Sequence, residues 1–146
     1  MTFLLDVNVL IALIDPGHVS HDAAHGWFEH EGHKSWATCP ITENGLIRIV
    51  SHPGYPNNPG TPGIVAEIMR QFRTLSGHVF WTDTISLLDT VHVDTTKMLT
   101  PRQVTDTYLA ALAAWHGGRL ASFDRRLSTS AVAGGGKVLH LIGPAG

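Results

Sequence analysis

Thr2-Phe3-Leu4-Leu5-Asp6-Val7-Asn8-Val9-Leu10-Ile11-Ala12-Leu13-Ile14-Asp15-Pro16-Gly17 decides the fold. Thr2–Leu5 reads as a short buried strand that ends on a carboxylate. Val7–Ile14 continues as a helix-compatible apolar run, closed by the breaker Asp15-Pro16-Gly17. Working outward, Arg119-Leu120-Ala121-Ser122-Phe123 is a second strand candidate that ends the same way, on Asp124. In an open parallel sheet, ligands bind outside the carboxyl ends of the strands, where strand order reverses. Glu43 and Asp106 fall in the first turns of two further predicted helices, the ends that face that crevice. Four carboxylates brought together repel one another unless a cation neutralises them. An all-oxygen set suits Mg²⁺ or Mn²⁺ rather than zinc, so the pattern predicts a metal-dependent enzyme acting on phosphates.

The remaining elements alternate. Ser20 to Glu31 reads as a helix with Ala23, Ala24, Trp27 and Phe28 on its apolar side. Ser35–Cys39 is a strand candidate, and Pro40 opens a mostly buried helix over Ile41–Ser51. Residues 52–63 carry four prolines and three glycines and read as a loop. Pro62 starts a helix running to about Leu75. His78–Thr82 is a brief strand, and Ser86 to Asp89 one helical turn. Thr100-Pro101 supplies an N-cap and a first-turn proline for the strongest helix, which ends at Gly117-Gly118. A last strand spans Lys137–Ile142, after the glycine run 134–136. Strands alternating with helices predict an α/β fold, a mostly parallel sheet of four or five strands covered on both faces. A single domain over residues 1–146 is expected, without repeats or linker.

The chain has 146 residues, 43% hydrophobic and 15% charged, enough for a real core. A formal charge of -2 excludes a generally polycationic nucleic-acid binder, so any such contact needs a local basic patch. The lone Cys39 allows no internal disulfide and points to a reduced, cytoplasmic setting. No apolar run reaches the ~18–20 residues of a membrane span. An acid at position 6 and the lack of a basic leader argue against a signal peptide.

Four blocks together resemble the PIN-domain ribonucleases, and more narrowly the VapC-type toxins of toxin–antitoxin pairs. They are Leu4-Leu5-Asp6-Val7-Asn8-Val9-Leu10, Cys39-Pro40-Ile41-Thr42-Glu43-Asn44-Gly45-Leu46, Gln103-Val104-Thr105-Asp106-Thr107-Tyr108-Leu109 and Leu120-Ala121-Ser122-Phe123-Asp124-Arg125-Arg126-Leu127. The resemblance covers nearly the whole chain, in family order. It implies a three-layer α/β/α sandwich and divalent-metal-dependent endoribonuclease activity that inhibits growth. It also implies a homodimer, and neutralisation by a small VapB-type antitoxin through which alone the chain would meet DNA. Carried over residue by residue, Asp6, Glu43, Asp106 and Asp124 become the acids of an Mg²⁺ or Mn²⁺ site. Asp6 and Asp124 are expected as direct ligands and Glu43 and Asp106 as ligands through water. Asn8 and Ser122 match small polar positions that line or brace the site.

Blander roles stand beside these. Asp6, Asn8 and Asp124 are favoured capping types, Glu43 and Asp106 suit a first helical turn, and Ser122 suits a strand hydroxyl bonded to backbone. Arg125 and Arg126 lie where an RNA backbone would pass, although a solvated turn is equally natural; Arg48, Arg70, Arg73 and Arg102 are weaker phosphate candidates. The histidines around the second helix are read as surface or packing residues, with His21 and His25 spaced to share a metal. His116 suits the dipole at a helix C-terminus. Trp27, Phe28, Tyr108 and Trp115 read as core or dimer contacts. Gly134–Gly136 lacks the Lys-Ser/Thr of a phosphate loop and reads as a turn. Two other functions compete: a non-catalytic nucleic-acid-binding or docking module, and an aspartate-based phosphotransferase. The second lacks the usual second Asp at position 8 and a suitably placed lysine.

Overall fold

The computed structural model describes residues 1–143. The strands are β1 (Phe3–Leu5), β2 (Trp36–Thr38), β3 (His78–Phe80), β4 (Arg119–Ser122) and β5 (Leu139–Leu141). The helices are α1 (Val7–Ile14), α2 (His21–His30), α3 (Pro40–Val50), α4 (Pro62–Phe72) and α5 (Gln103–Trp115). The five strands form one sheet in the order β3-β2-β1-β4-β5, every neighbour parallel. Connections run one way from β1 through β2 to β3 and the other way through β4 to β5. The switch point therefore lies between β1 and β4, at Asp6 and Ser122.

Burial explains the layering. Phe3, Leu5 and Trp36 pack with Val9, Leu10, Ala24, Phe28, Leu46, Val65 and Met69, so α1 to α4 cover one face of the sheet. Leu4, Ala37 and Leu120 pack with Leu109, Ala110, Leu112 and Ala113 of α5, which covers the other. Every residue of β1 is buried, as the unbroken apolar run of a strand covered on both sides requires. Leu112, fully buried under the sheet, is a sensitive position: Leu112→Ala would cost roughly 2–5 kcal/mol.

Close approach of α3 to α1 depends on Gly45. A Cβ there would stand 2.9 Å from Cγ2 of Val7, so a larger residue would push apart the two helices that follow β1 and β2.

Several boundaries differ from expectation for local reasons. α5 starts at Gln103, not Pro101, because the Gln103 side-chain carbonyl accepts the N–H groups of Leu99 (2.6 Å) and Thr100 (3.2 Å) and folds them into a turn. Ser86–Asp89 is a turn without helix, held by Asp89 N–H on Ser86 C=O at 3.1 Å. The final strand is shortened to Leu139–Leu141 by a 3-10 turn at Gly135–Lys137. The Pro/Gly loop is anchored: Tyr55 and Asn57 both donate to the Asp15 carboxylate at the end of α1.

Phe28 and Tyr108 are buried, and Trp27 packs partly buried against the core, while Trp115 is 56% exposed. His116 stacks flat on Trp81 at 4.0 Å, and burial lowers its pKa, which weakens the expected role as a charged dipole partner.

Candidate active site

Asp6 leaves β1 and caps α1, its Oδ1 accepting the Val7 N–H at 2.8 Å. Its other oxygen, Oδ2, accepts the hydroxyl of Ser122, the last residue of β4, at 2.7 Å. Both oxygens of the Asp6 carboxylate are thus engaged, one as the helix cap and one by the end of β4. Asp6 is buried, and that burial raises its pKa; the bonds from Ser122 and Val7 oppose the rise, and the negative charge of Asp124 adds to it. Ser122 also accepts the Asp124 N–H at 3.1 Å and meets the Asn8 amide nitrogen at 3.5 Å. One hydroxyl therefore ties β1, α1 and the turn after β4 together.

Asp106 projects from the first turn of α5, on the opposite face of the sheet from α1. Its pKa is raised to about 6 by burial first and then by the charges of Asp6 and Asp124, with Arg102 pulling the other way. Three aspartates therefore share one field at the switch point. Asp106 and Asp124 line a cavity of about 260 Å³ together with Arg102, Gln103, Arg126, Thr100 and Ser128.

Glu43 is placed differently. It lies in the first turn of α3, and its carboxylate accepts the Thr38 hydroxyl at 2.7 Å and the Arg73 guanidinium at 3.2–3.3 Å. Thr38 is also 2.7 Å from Nε2 of His78. With its own proton on Glu43, the Thr38 oxygen takes the His78 N–H. The field at Asp6 and Asp106 has no resolved contribution from Glu43.

Arg125 and Arg126 part company. Arg126 lines the cavity with Asp106 and Asp124, while Arg125 lines a separate one with Val19, Ser20, Ala23 and Phe123. His21 and His25 stack loosely at 5.7 Å, His21 engaged by the Ala12 carbonyl at 2.7 Å and His25 facing Glu29 at 3.7 Å. Thr38 and Gly45 escaped sequence reasoning. Thr38 only adjoins the Cys39–Leu46 block and Gly45 lies inside it, but their roles depend on His78 and Val7, which are distant in sequence.

Among the described residues, no three His, Cys, Asp or Glu side chains converge, as oriented, on a single ion position. The donor chemistry nevertheless fits a hard divalent cation. The charges of Asp6 and Asp124 both raise the pKa of Asp106, that of Asp124 also raises the pKa of Asp6, and the buried Oδ1 of Asn8 is an acceptor with no hydrogen-bond partner.

Comparison with known proteins gives a consistent answer. The sequence profile described as PIN domain matches residues 3–132. Ribonuclease VapC39 of Mycobacterium tuberculosis is 46% identical over 134 residues, 92% of this chain and 96% of its own length. Ribonuclease VapC44 of the same organism is 41% identical over 137 residues, 94% of this chain and 96% of its own. Among solved structures, VapBC2 from Rickettsia felis bound to a DNA fragment from its promoter superposes with a TM-score of 0.62. That match covers 98% of this chain and 100% of the other at 15% identity, a likeness of fold.

Proposed function

The chain belongs to the PIN-domain family, among its VapC ribonucleases, and from that premise we propose that it is a toxin endoribonuclease whose hydrolysis depends on a divalent metal. The observation that carries the site assignment is the shared field of Asp6, Asp106 and Asp124 at the switch point of a parallel sheet. Asp6 and Asp124 would hold Mg²⁺ or Mn²⁺ directly, with Asp106 and Glu43 acting through water and Asn8 Oδ1 as a further acceptor. When bound, the cation supplies Lewis acidity toward a phosphoryl oxygen and a water of lowered pKa.

The protein's own residues do the rest. Ser122 fixes the rotamer of Asp6, so the carboxylate is oriented before any ligand arrives. Asp106 shares the cavity with Asp124 and would receive the proton of an attacking water; without a cation, burial and the charges of Asp6 and Asp124 raise its pKa to about 6. Arg102 and Arg126 flank the acids in the same cavity and would hold the phosphates on either side of the cleaved bond. Glu43 is held at its place by the Thr38 hydroxyl and the Arg73 guanidinium.

The substrate is RNA, the chain acts as a single PIN-like domain, and its setting is the cytoplasm. Among the described residues no helix is long and apolar enough to cross a membrane. A VapB-type antitoxin is its partner, by analogy with the VapBC assembly it resembles in fold, and DNA is met only through that partner. The active form is a homodimer, as the family resemblance implies. Incubating antitoxin-free protein with total cellular RNA in Mg²⁺ and in EDTA tests the reading. Discrete cuts confined to the metal condition are expected. Identical RNA profiles in both conditions would favour a non-catalytic docking module.

A further inference from the structure

The parallel register places the ends of β3, β2 and β1 side by side: Phe80 lies opposite Thr38, and Thr38 ends the strand next to the one that delivers Asp6. Phe80 is 39% exposed at an outer edge of the sheet, at the end where Asp6 and Ser122 emerge. The Arg73 guanidinium lies over that ring, 5.2 Å from its centre, while its Nη1 reaches Glu43 at 3.2 Å. Arg73 thus stands between a solvent-facing ring and an acid of the proposed active site.

Neither contact holds it firmly. A partly exposed ion pair contributes ~0–1 kcal/mol, so another anion can replace the carboxylate at little cost. A phosphate accepts the guanidinium fork as well as a carboxylate does. The ring offers any unstacked base a π-face beside that cation, a pairing that fits single-stranded nucleic acid better than an apolar peptide.

We propose that Arg73 and Phe80 form a nucleotide subsite on the β3 flank of the acidic crevice. Arg73 takes the phosphate and Phe80 stacks the base of one nucleotide of single-stranded RNA. Transfer of Arg73 from Glu43 to that phosphate leaves the Glu43 carboxylate held by the Thr38 hydroxyl. The subsite rests on the RNA-cleaving reading for its substrate, but its binding can be measured without cleavage.

The test is the affinity of a short fluorescent single-stranded RNA in EDTA at low salt. It is measured for the full chain and for Arg73→Gln, Phe80→Leu and Phe80→Trp, each confirmed folded by its melting curve. Arg73→Gln should weaken binding about tenfold and flatten the dependence of log K on log salt by about 0.7. Phe80→Leu should weaken it about fivefold or more without changing that slope, and Phe80→Trp should retain it. Wild-type affinity in either Arg73→Gln or Phe80→Leu overturns the subsite. Cleavage of cellular RNA by the unmodified chain in Mg²⁺ is followed in parallel. Cuts together with unaffected binding in the variants would overturn the subsite and leave the nuclease standing. Weakened binding without any cut would support the subsite while removing the nuclease.

Discussion

Ser122 donates its hydroxyl to Asp6 at 2.7 Å, joining residues 116 positions apart across the switch point of the sheet. Because both groups are buried, this bond acts where solvent screening is weak. Ser122→Ala removes it, along with the acceptor that receives the Asp124 N–H. A stability loss of about 1.5–3 kcal/mol is expected from urea unfolding, the range for a hydrogen bond to a charged group. Cleavage should fall about tenfold or more, with the acid limb of the kcat/KM profile moved to higher pH. An unmoved limb would show that Ser122 does not tune Asp6.

Asp106, in the proposed site, carries a stability cost. Its folded pKa of about 6 lies above the ordinary 3.8, so between those values the folded protein holds more protons than the unfolded chain. Stability from this group therefore declines as pH rises through that window and stays reduced above it. Asp106→Asn should be more stable in EDTA at pH 7.5 by about 1 kcal/mol after allowance for partial exposure, and so melt at a higher temperature, while cleavage is lost. Equal melting temperatures would show that the acids do not strain one another.

His78 works in the opposite sense. Burial, with Arg73 adding to it, lowers its pKa from 6.5 to about 4. The unfolded chain then binds the extra proton first, so stability is full above pH 6.5 and is lost as pH falls toward 4. Urea midpoints at pH 7 and pH 5 should differ for the unmodified chain and differ less for His78→Gln. The same loss in both would exclude His78 as the source.

Tyr55 should prove structural. Its hydroxyl donates to Asp15, locking the proline-rich loop to the end of α1. Tyr55→Phe should cost about 1 kcal/mol and speed amide exchange across residues 52–61, with kcat little changed. Unchanged exchange would mean that Asn57 suffices to hold the loop on Asp15.

Legibility in the sequence followed distance along the chain. The β1–Asp6–α1 and β4–Asp124 units were readable because strand, acid and turn are contiguous and their burial follows from local apolar runs. The start of α5 was misjudged because Thr100-Pro101 carries a genuine capping pattern, which the Gln103 side chain overrides by taking two backbone donors. The orientation of Glu43 was hidden, since it depends on Arg73, 30 residues away, and on a histidine in β3. Arg125 and Arg126 look equivalent as neighbours, yet the turn after Asp124 sends them to different cavities.

The proposed activity requires the aspartate cluster to load a metal for RNA cleavage. Its most direct test is the RNA cleavage rate as a function of Mn²⁺ concentration, for the unmodified chain and for Asp6→Asn and Asp124→Asn. Saturable, EDTA-reversible cleavage is expected in the first and almost none in the variants at any Mn²⁺ concentration, with all three equally folded. Full cleavage in EDTA, or variants that follow the same curve as the unmodified chain, would contradict it.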